Sequence, residues 1–243
     1  MADRHIVAMG GGGFSMESAN SLLDDFVLAL ARRRGRTRKP RVCFIATASG
    51  DNDYYIRRFY QAFPPARAEA SHLPFFERTQ PDLRAFALAH DVIYAGGGSA
   101  ANLLAIWRLH GLDRALRAAW NAGVVLAGIS AGAICWFEAG ITDSFGMPFR
   151  ALHGGLGFLR GSCCPHYDGE KERRPVLHRL LRSGFPAGVA LDDGAAAHFA
   201  GTRLREIVSS RPHARAFRVA MKDGRVVETP LAVCYLGTRE QQP

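Results

Sequence analysis

Lysine is scarce, paired cysteines are missing, and no apolar stretch is long; each shortage removes a class of function. Of 31 basic residues only Lys39, Lys171 and Lys222 are lysines, so arginine carries the formal net charge of +9. The densest basic segment, Arg32 to Arg41, lies between a helical pattern and a strand, where a solvated connection is expected. No nucleic-acid motif accompanies it, so no nucleic-acid partner is expected. No apolar run approaches the roughly 20 residues that cross a bilayer. Met1 to His5 leads straight into a strand-like run without a signal-peptide pattern, which gives the expectation of a cytoplasmic protein with no membrane partner. The cysteines, Cys43, Cys135, Cys163, Cys164 and Cys234, are odd in number and scattered, which argues against a disulfide framework. Without a CxxC pair a structural zinc site is not indicated, and neither metal nor cofactor is expected. No linker rich in Pro, Gly or Ser and no internal repeat divides the 243 residues, so one domain over 1–243 is expected.

What is present is alternation. Apolar runs at 5–9, 41–46, 70–75, 91–95 and 124–126 read as strands. Between them, 18–33, 54–63, 81–90, 102–109 and 112–121 carry apolar residues at helical spacing. The second half is richer in strands, and Lys222-Asp223-Gly224-Arg225 is a hairpin turn. The pattern predicts an α/β fold: a doubly wound, mostly parallel sheet flanked by helices, with an antiparallel C-terminal extension. In such sheets ligands collect beyond the carboxyl ends of the strands. Four strand exits, Gly10–Gly13, Thr47–Gly50, Gly96–Asn102 and Gly128–Gly132, are small or polar and should meet at one edge.

One of those exits carries chemistry. Gly128-Ile129-Ser130-Ala131-Gly132 follows the apolar run Val124-Val125-Leu126, and this Gly-x-Ser-x-Gly pattern lifts a serine hydroxyl clear of a strand-to-helix turn. Such a hydroxyl needs a neighbouring base, commonly a histidine oriented by a carboxylate. Among nine histidines, His166 stands out, held between Pro165 and the Asp168-Gly169 turn. A loop histidine with only local hydrogen bonds is the plainer alternative. Gly96-Gly98 and Gly10-Gly13 lack the GxGxxG spacing, so a dinucleotide site is not indicated. Cys164, close to His166, offers a rival nucleophile, although a buried small hydrophobe is the ordinary role of such a residue.

Gly96-Gly97-Gly98, Asn102-Leu103-Leu104, the serine block and Pro165-His166-Tyr167 together resemble the peptidase E-like serine peptidases, aspartyl dipeptidases related to cyanophycinase. The resemblance runs from Met9 to about Asp193. It implies a class I glutamine amidotransferase-like fold with serine in place of cysteine. Ser130 would be the nucleophile and His166 the general base. The third member would be Glu138, placed two turns along the helix that starts at the serine, or Asp143 in the following loop. The backbone N–H groups of Ala131 and Gly98 would bind the oxyanion. Arg174, or its neighbour Arg173, would receive a substrate carboxylate. Ser99 and Ala100 stand where the family commonly has Asn or Asp and Thr, in a loop that helps hold substrate. The implied partner is a small peptide, and a homodimer is compatible with the sequence. Two other readings stay open: a catalytically silent binding protein on the same fold, and a nucleotide or nucleic-acid binder.

Overall fold

The computed structural model describes residues 3–32 and 39–237, so most of the arginine-rich segment noted above lies outside the described residues. The first half is regular alternation. Strand β1 (His5–Met9) leads into the single turn α1 (Gly13–Met16) and then α2 (Leu22–Arg32). β2 (Arg41–Ile45) is followed by α3 (Asp53–Ala62), β3 (Glu69–His72) by α4 (Leu83–Leu88), and β4 (Val92–Ala95) by α5 (Ala100–His110) and α6 (Leu112–Asn121). β5 (Val125–Ile129) ends in the short α7 (Ala131–Ile134). These strands pair in parallel in the order β3-β2-β4-β5-β1. Side chains alternate across the sheet. Ile6, Cys43, Ile93 and Leu126 join one apolar layer with α5 and α6, while Val7, Val42, Val92 and Val125 join the other with α2 and α3. Burial on both faces is why these strands read as near-continuous apolar runs.

The second half comprises β6 (Phe137–Thr142), β7 (Arg150–His153), β8 (Leu159–Cys164), α8 (Arg173–Arg182) and β9 (Gly188–Leu191). Then come β10 (Ala195–Ala200), β11 (Arg203–Ser209), β12 (Ala216–Lys222), β13 (Arg225–Pro230) and β14 (Val233–Tyr235). β10, β11 and β14 extend the parallel core beyond β1, and β10 runs antiparallel to both neighbours. The remaining strands form a second, mixed sheet in the order β13-β12-β9-β8-β6-β7, with α8 packed on it. The hairpin turn falls as expected: Lys222 pairs with Arg225 across Asp223 and Gly224, both at positive φ.

One expectation is corrected here. The helix after Ser130 lasts a single turn, so Glu138 does not lie on it but on β6. Cys135, Trp136 and Phe137 are all buried. A surface helix would need a solvent-facing stripe there. The chain instead enters the second sheet, where β6 pairs with β8.

Candidate active site

β5 delivers Ser130 at the carboxyl edge of the main sheet, with φ 54° and ψ −112°. That is strained backbone for a residue with a side chain. Hydrogen bonds hold it: its N–H donates to the Met9 carbonyl at 3.1 Å, and its own carbonyl accepts from Ala133 and Ile134 at 2.9 Å each. A β-carbon on Gly128 would sit 2.0 Å from the Gly132 carbonyl oxygen, so the turn closes only on glycine.

The glycine loop after β4 lies against the serine. A β-carbon on Gly97 would be 3.5 Å from that of Ser130. Gly98 has φ +131°, and any side chain there would strike the Ala48 carbonyl. The Gly97 N–H donates to the Tyr55 hydroxyl at 3.2 Å, and Ser99 N–H to the Ala48 carbonyl at 2.8 Å. Between them the Gly98 N–H has no partner among the described residues. Ala131 opens α7, where first-turn N–H groups have no carbonyl one turn back to bond. The Ser99 hydroxyl caps α5 by accepting from the Asn102 N–H.

His166 occupies the loop after β8, also at positive φ. Its N–H donates to the Gly10 carbonyl at 3.3 Å, and the next N–H, of Tyr167, donates to the Leu191 carbonyl at 3.0 Å. The loop is thus pinned to the exits of β1 and β9. Its ring Nδ1 lies 2.6 Å from Oδ1 of Asp193, just beyond β9. Burial pushes the Asp193 carboxyl up, but the His166 hydrogen bond and the His166, Arg211 and Arg173 charges outweigh it and hold the group below its ordinary value. Asp168 accepts from the Asp193 N–H at 2.8 Å, fixing the carboxylate's backbone.

The carboxylate on His166 is therefore neither Glu138 nor Asp143. Glu138 accepts from the Gly161 N–H at 2.8 Å and is exposed on its strand. Asp143 instead lines a cavity of about 290 Å³ with Ser130, Gly98, Ser99, Ser144 and the Glu170–Arg173 ion pair. Asp193 carried a readable signal: Asp192-Asp193-Gly194 directly follows the apolar run Val189-Ala190-Leu191, an acidic pair at a strand exit.

The two neighbouring arginines part company. Arg173 is buried; it donates to the Ile141 carbonyl at 2.8 Å and lies 4.4 Å from the Phe149 ring centre. Arg174 points elsewhere, its Nε 2.8 Å from Oε1 of Glu228. A guanidinium so engaged does not line the serine cavity. Cys164 is wholly buried and its thiol is pushed up to about 12, chiefly by burial, so no thiolate competes with Ser130. Among the described residues, no group of three or more His, Cys, Asp or Glu side chains is placed to hold a metal ion, and no helix is long and apolar enough to cross a membrane.

A profile of peptidase family S51 matches residues 6–207. An uncharacterized peptidase of Bacillus subtilis (strain 168), YgaJ, is 53% identical over 235 residues, covering 96% of this chain and all of that one. Two solved structures share the fold. A peptidase from an acI-B1 actinobacterium superposes with a TM-score of 0.73 at 18% identity, covering 95% of each chain. A putative peptidase E protein from Listeria monocytogenes EGD-e gives 0.59 at 14% identity, covering 95% of this chain and all of that one.

Proposed function

Because the chain belongs to peptidase family S51, we propose that it is a serine exopeptidase that hydrolyses dipeptides and other short peptides through Ser130, His166 and Asp193. The observation that carries this reading is the strained Ser130 turn opening into a small polar cavity, with the His166–Asp193 pair anchored to the exits of the neighbouring strands. Asp193 on Nδ1 fixes the tautomer and leaves Nε2 as the basic nitrogen. Ser130 Oγ attacks the scissile carbonyl carbon while its proton passes to His166 Nε2. The carbonyl oxygen becomes an oxyanion received by the N–H groups of Gly98 and Ala131. Collapse breaks the C–N bond, and the imidazolium returns its proton to the leaving amine. Water, deprotonated by the same ring, then releases the acyl group.

Selectivity for short peptides follows from size and charge. A cavity of about 290 Å³ suits a short peptide better than a folded protein chain. The Asp143 carboxylate at its rim suits a free α-ammonium. Arg173, already paired with Glu170, suits a carboxylate that displaces Glu170 from it. A panel of Asp-X, Glu-X, Ala-X, Leu-X and β-Asp-X dipeptides, with wild type and Ser130→Ala, tests the reading. Turnover by wild type alone supports it, and the best substrate identifies the acyl-side preference. Equal turnover by both proteins, or none by either, would overturn it.

A further inference from the structure

A second cavity of about 290 Å³ shares no lining residue with the serine cavity. Arg108 of α5 and Asp113, Arg114 and Arg117 of α6 line it, facing the loop 154–158 that ends on the buried Phe158 ring. Three arginines and a single aspartate thus line it.

Two of the arginines are partly used by the fold. Arg108 Nη2 donates to the carbonyls of Gly154 and Gly155, the second at 2.9 Å. Arg117 Nη2 donates to the carbonyls of Leu156 and Gly157 at 3.1 and 3.2 Å, and its guanidinium lies 3.6 Å from the Phe158 ring centre. Each spends one nitrogen on the loop. A guanidinium carries five N–H donors, so most of its hydrogen-bonding capacity is left over. Arg114 makes no hydrogen bond or ion pair with the described residues. It folds over the turn between α5 and α6, where a β-carbon on Gly111 would come within 2.9 Å of its Nη2. Burial and the neighbouring Arg4 charge lower the Arg117 pKa, the mark of a cation short of counter-charge.

Asp113 shows the opposite deficiency. Its Oδ1 is buried and has no hydrogen-bond partner among the described residues. A buried acceptor without a donor is costly, and native structures keep few of them. The cavity therefore sets guanidinium donors with capacity to spare beside a carboxylate that has one unsatisfied oxygen behind its lining. A simple anion would satisfy the arginines and repel Asp113; a simple cation would do the reverse. A zwitterion satisfies both.

We propose that this cavity is a binding site for a free α-amino acid or dipeptide, with the ligand's carboxylate on Arg114 and Arg117 and its ammonium on Asp113. The surplus of guanidinium charge favours an acidic side chain, so L-glutamate and L-aspartate bind more tightly than L-leucine. The site is independent of the role given to Ser130.

Calorimetric titration of the full chain tests this with L-glutamate, L-leucine, N-acetyl-L-glutamate, L-leucinamide and inorganic phosphate. The proteins are wild type, Asp113→Asn, Arg114→Gln and Ser130→Ala. Neither the Asp113 nor the Arg114 side chain makes a hydrogen bond or ion pair to the described residues, and unchanged circular dichroism will verify that both variants are native. L-Glutamate binding should weaken by about tenfold or more in each cavity variant and stay unchanged in Ser130→Ala. N-acetyl-L-glutamate should bind about tenfold more weakly than L-glutamate, and L-leucinamide more weakly than L-leucine. Phosphate or N-acetyl-L-glutamate binding as well as L-glutamate would make this a simple anion site and overturn the assignment. So would amino-acid binding that survives both cavity substitutions, or no binding at all.

Discussion

Two of the three histidine–carboxylate pairs among the described residues involve neighbouring stretches of chain, and their carboxylates differ in how many partners they hold. His166 Nδ1 sits 2.6 Å from Asp193, and His178 Nε2 sits 2.5 Å from Glu228. By distance they are equivalent. Glu228, however, also receives the Tyr167 hydroxyl at 2.5 Å and both Nε and Nη2 of Arg174. Burial pushes its carboxyl up, but the hydrogen bonds from Arg174, Tyr167 and His178 dominate and bring it down to about 2. Asp193 faces His166 on a loop pinned to the exits of β1 and β9, beside the strained serine turn. Each ring keeps one nitrogen that does not bond its carboxylate, so the difference lies in the carboxylates: Glu228 is saturated by three side chains and acts as a structural clamp, whereas Asp193 serves the one histidine proposed as the base for Ser130.

Removing each member in turn separates the two pairs. Ser130→Ala and His166→Ala should each lower kcat by about 10⁴-fold or more, and Asp193→Asn by about 10²- to 10⁴-fold with little change in KM. Glu228→Gln should leave kcat within about threefold, because it touches no reacting atom. Steady-state kinetics on the best dipeptide decides it. Comparable losses from Asp193→Asn and Glu228→Gln would erase the distinction.

The next effect tests what holds the glycine loop proposed to bind the oxyanion. Tyr55 is half-buried, its hydroxyl donating to Ser15 at 2.9 Å while accepting from the Gly97 N–H. Tyr55→Phe removes one oxygen and frees the peptide that precedes Gly98. We expect kcat to fall by about 10- to 100-fold with KM nearly unchanged, since a misaligned donor weakens only the transition state. A rise in KM at constant kcat would instead place Tyr55 in ground-state binding.

Asp143 should behave differently again. With Asp143 lining the cavity and proposed to receive the substrate ammonium, Asp143→Asn should raise KM by about tenfold for free dipeptides and leave N-acetylated peptides unaffected. Glu138→Gln, on an exposed strand position away from the cavity, should change neither parameter. Equal effects from the two substitutions would remove the reason for separating them.

The parallel half of the fold was legible because its signals are local. Apolar runs alternate with amphipathic ones, and each strand exit carries its own glycines or small polar residues. Ser130 was readable for the same reason: Gly128 and Gly132 stand within two residues of it. The partner of His166 was not, because Asp193 lies 27 residues away and is brought to the ring by the pairing of β8 with β9. No periodicity encodes that approach. The helix assigned to Glu138 failed on burial: Cys135-Trp136-Phe137 is apolar on every side, and such a run fits a buried strand as well as a helix. Arg173 and Arg174 were indistinguishable as a pair of letters. Adjacent positions on a helix lie about 100° apart, which sends one to the cavity and the other to Glu228.

The smallest effect on turnover is the one that most cleanly isolates the clamp, and it is read in acid. A carboxyl held at about 2, against an ordinary value near 4.5, binds protons less readily in the folded chain than in the unfolded one. Its contribution is therefore complete above the unfolded value and drains away as pH falls towards the folded one. Protonation removes the charge that strengthens the bonds from Tyr167, Arg174 and His178, and so weakens the tie of β13 to α8 and to the histidine loop. Glu228→Gln should cost about 1–3 kcal/mol at neutral pH, a range set below the full charge-pairing value because Arg174 is half exposed. The gap between wild type and variant should narrow steadily between about pH 5 and pH 2. Urea unfolding at a series of pH values measures it, and a gap that persists unchanged to the acid end would show that packing of the side chain, and not its charge, is what the clamp contributes.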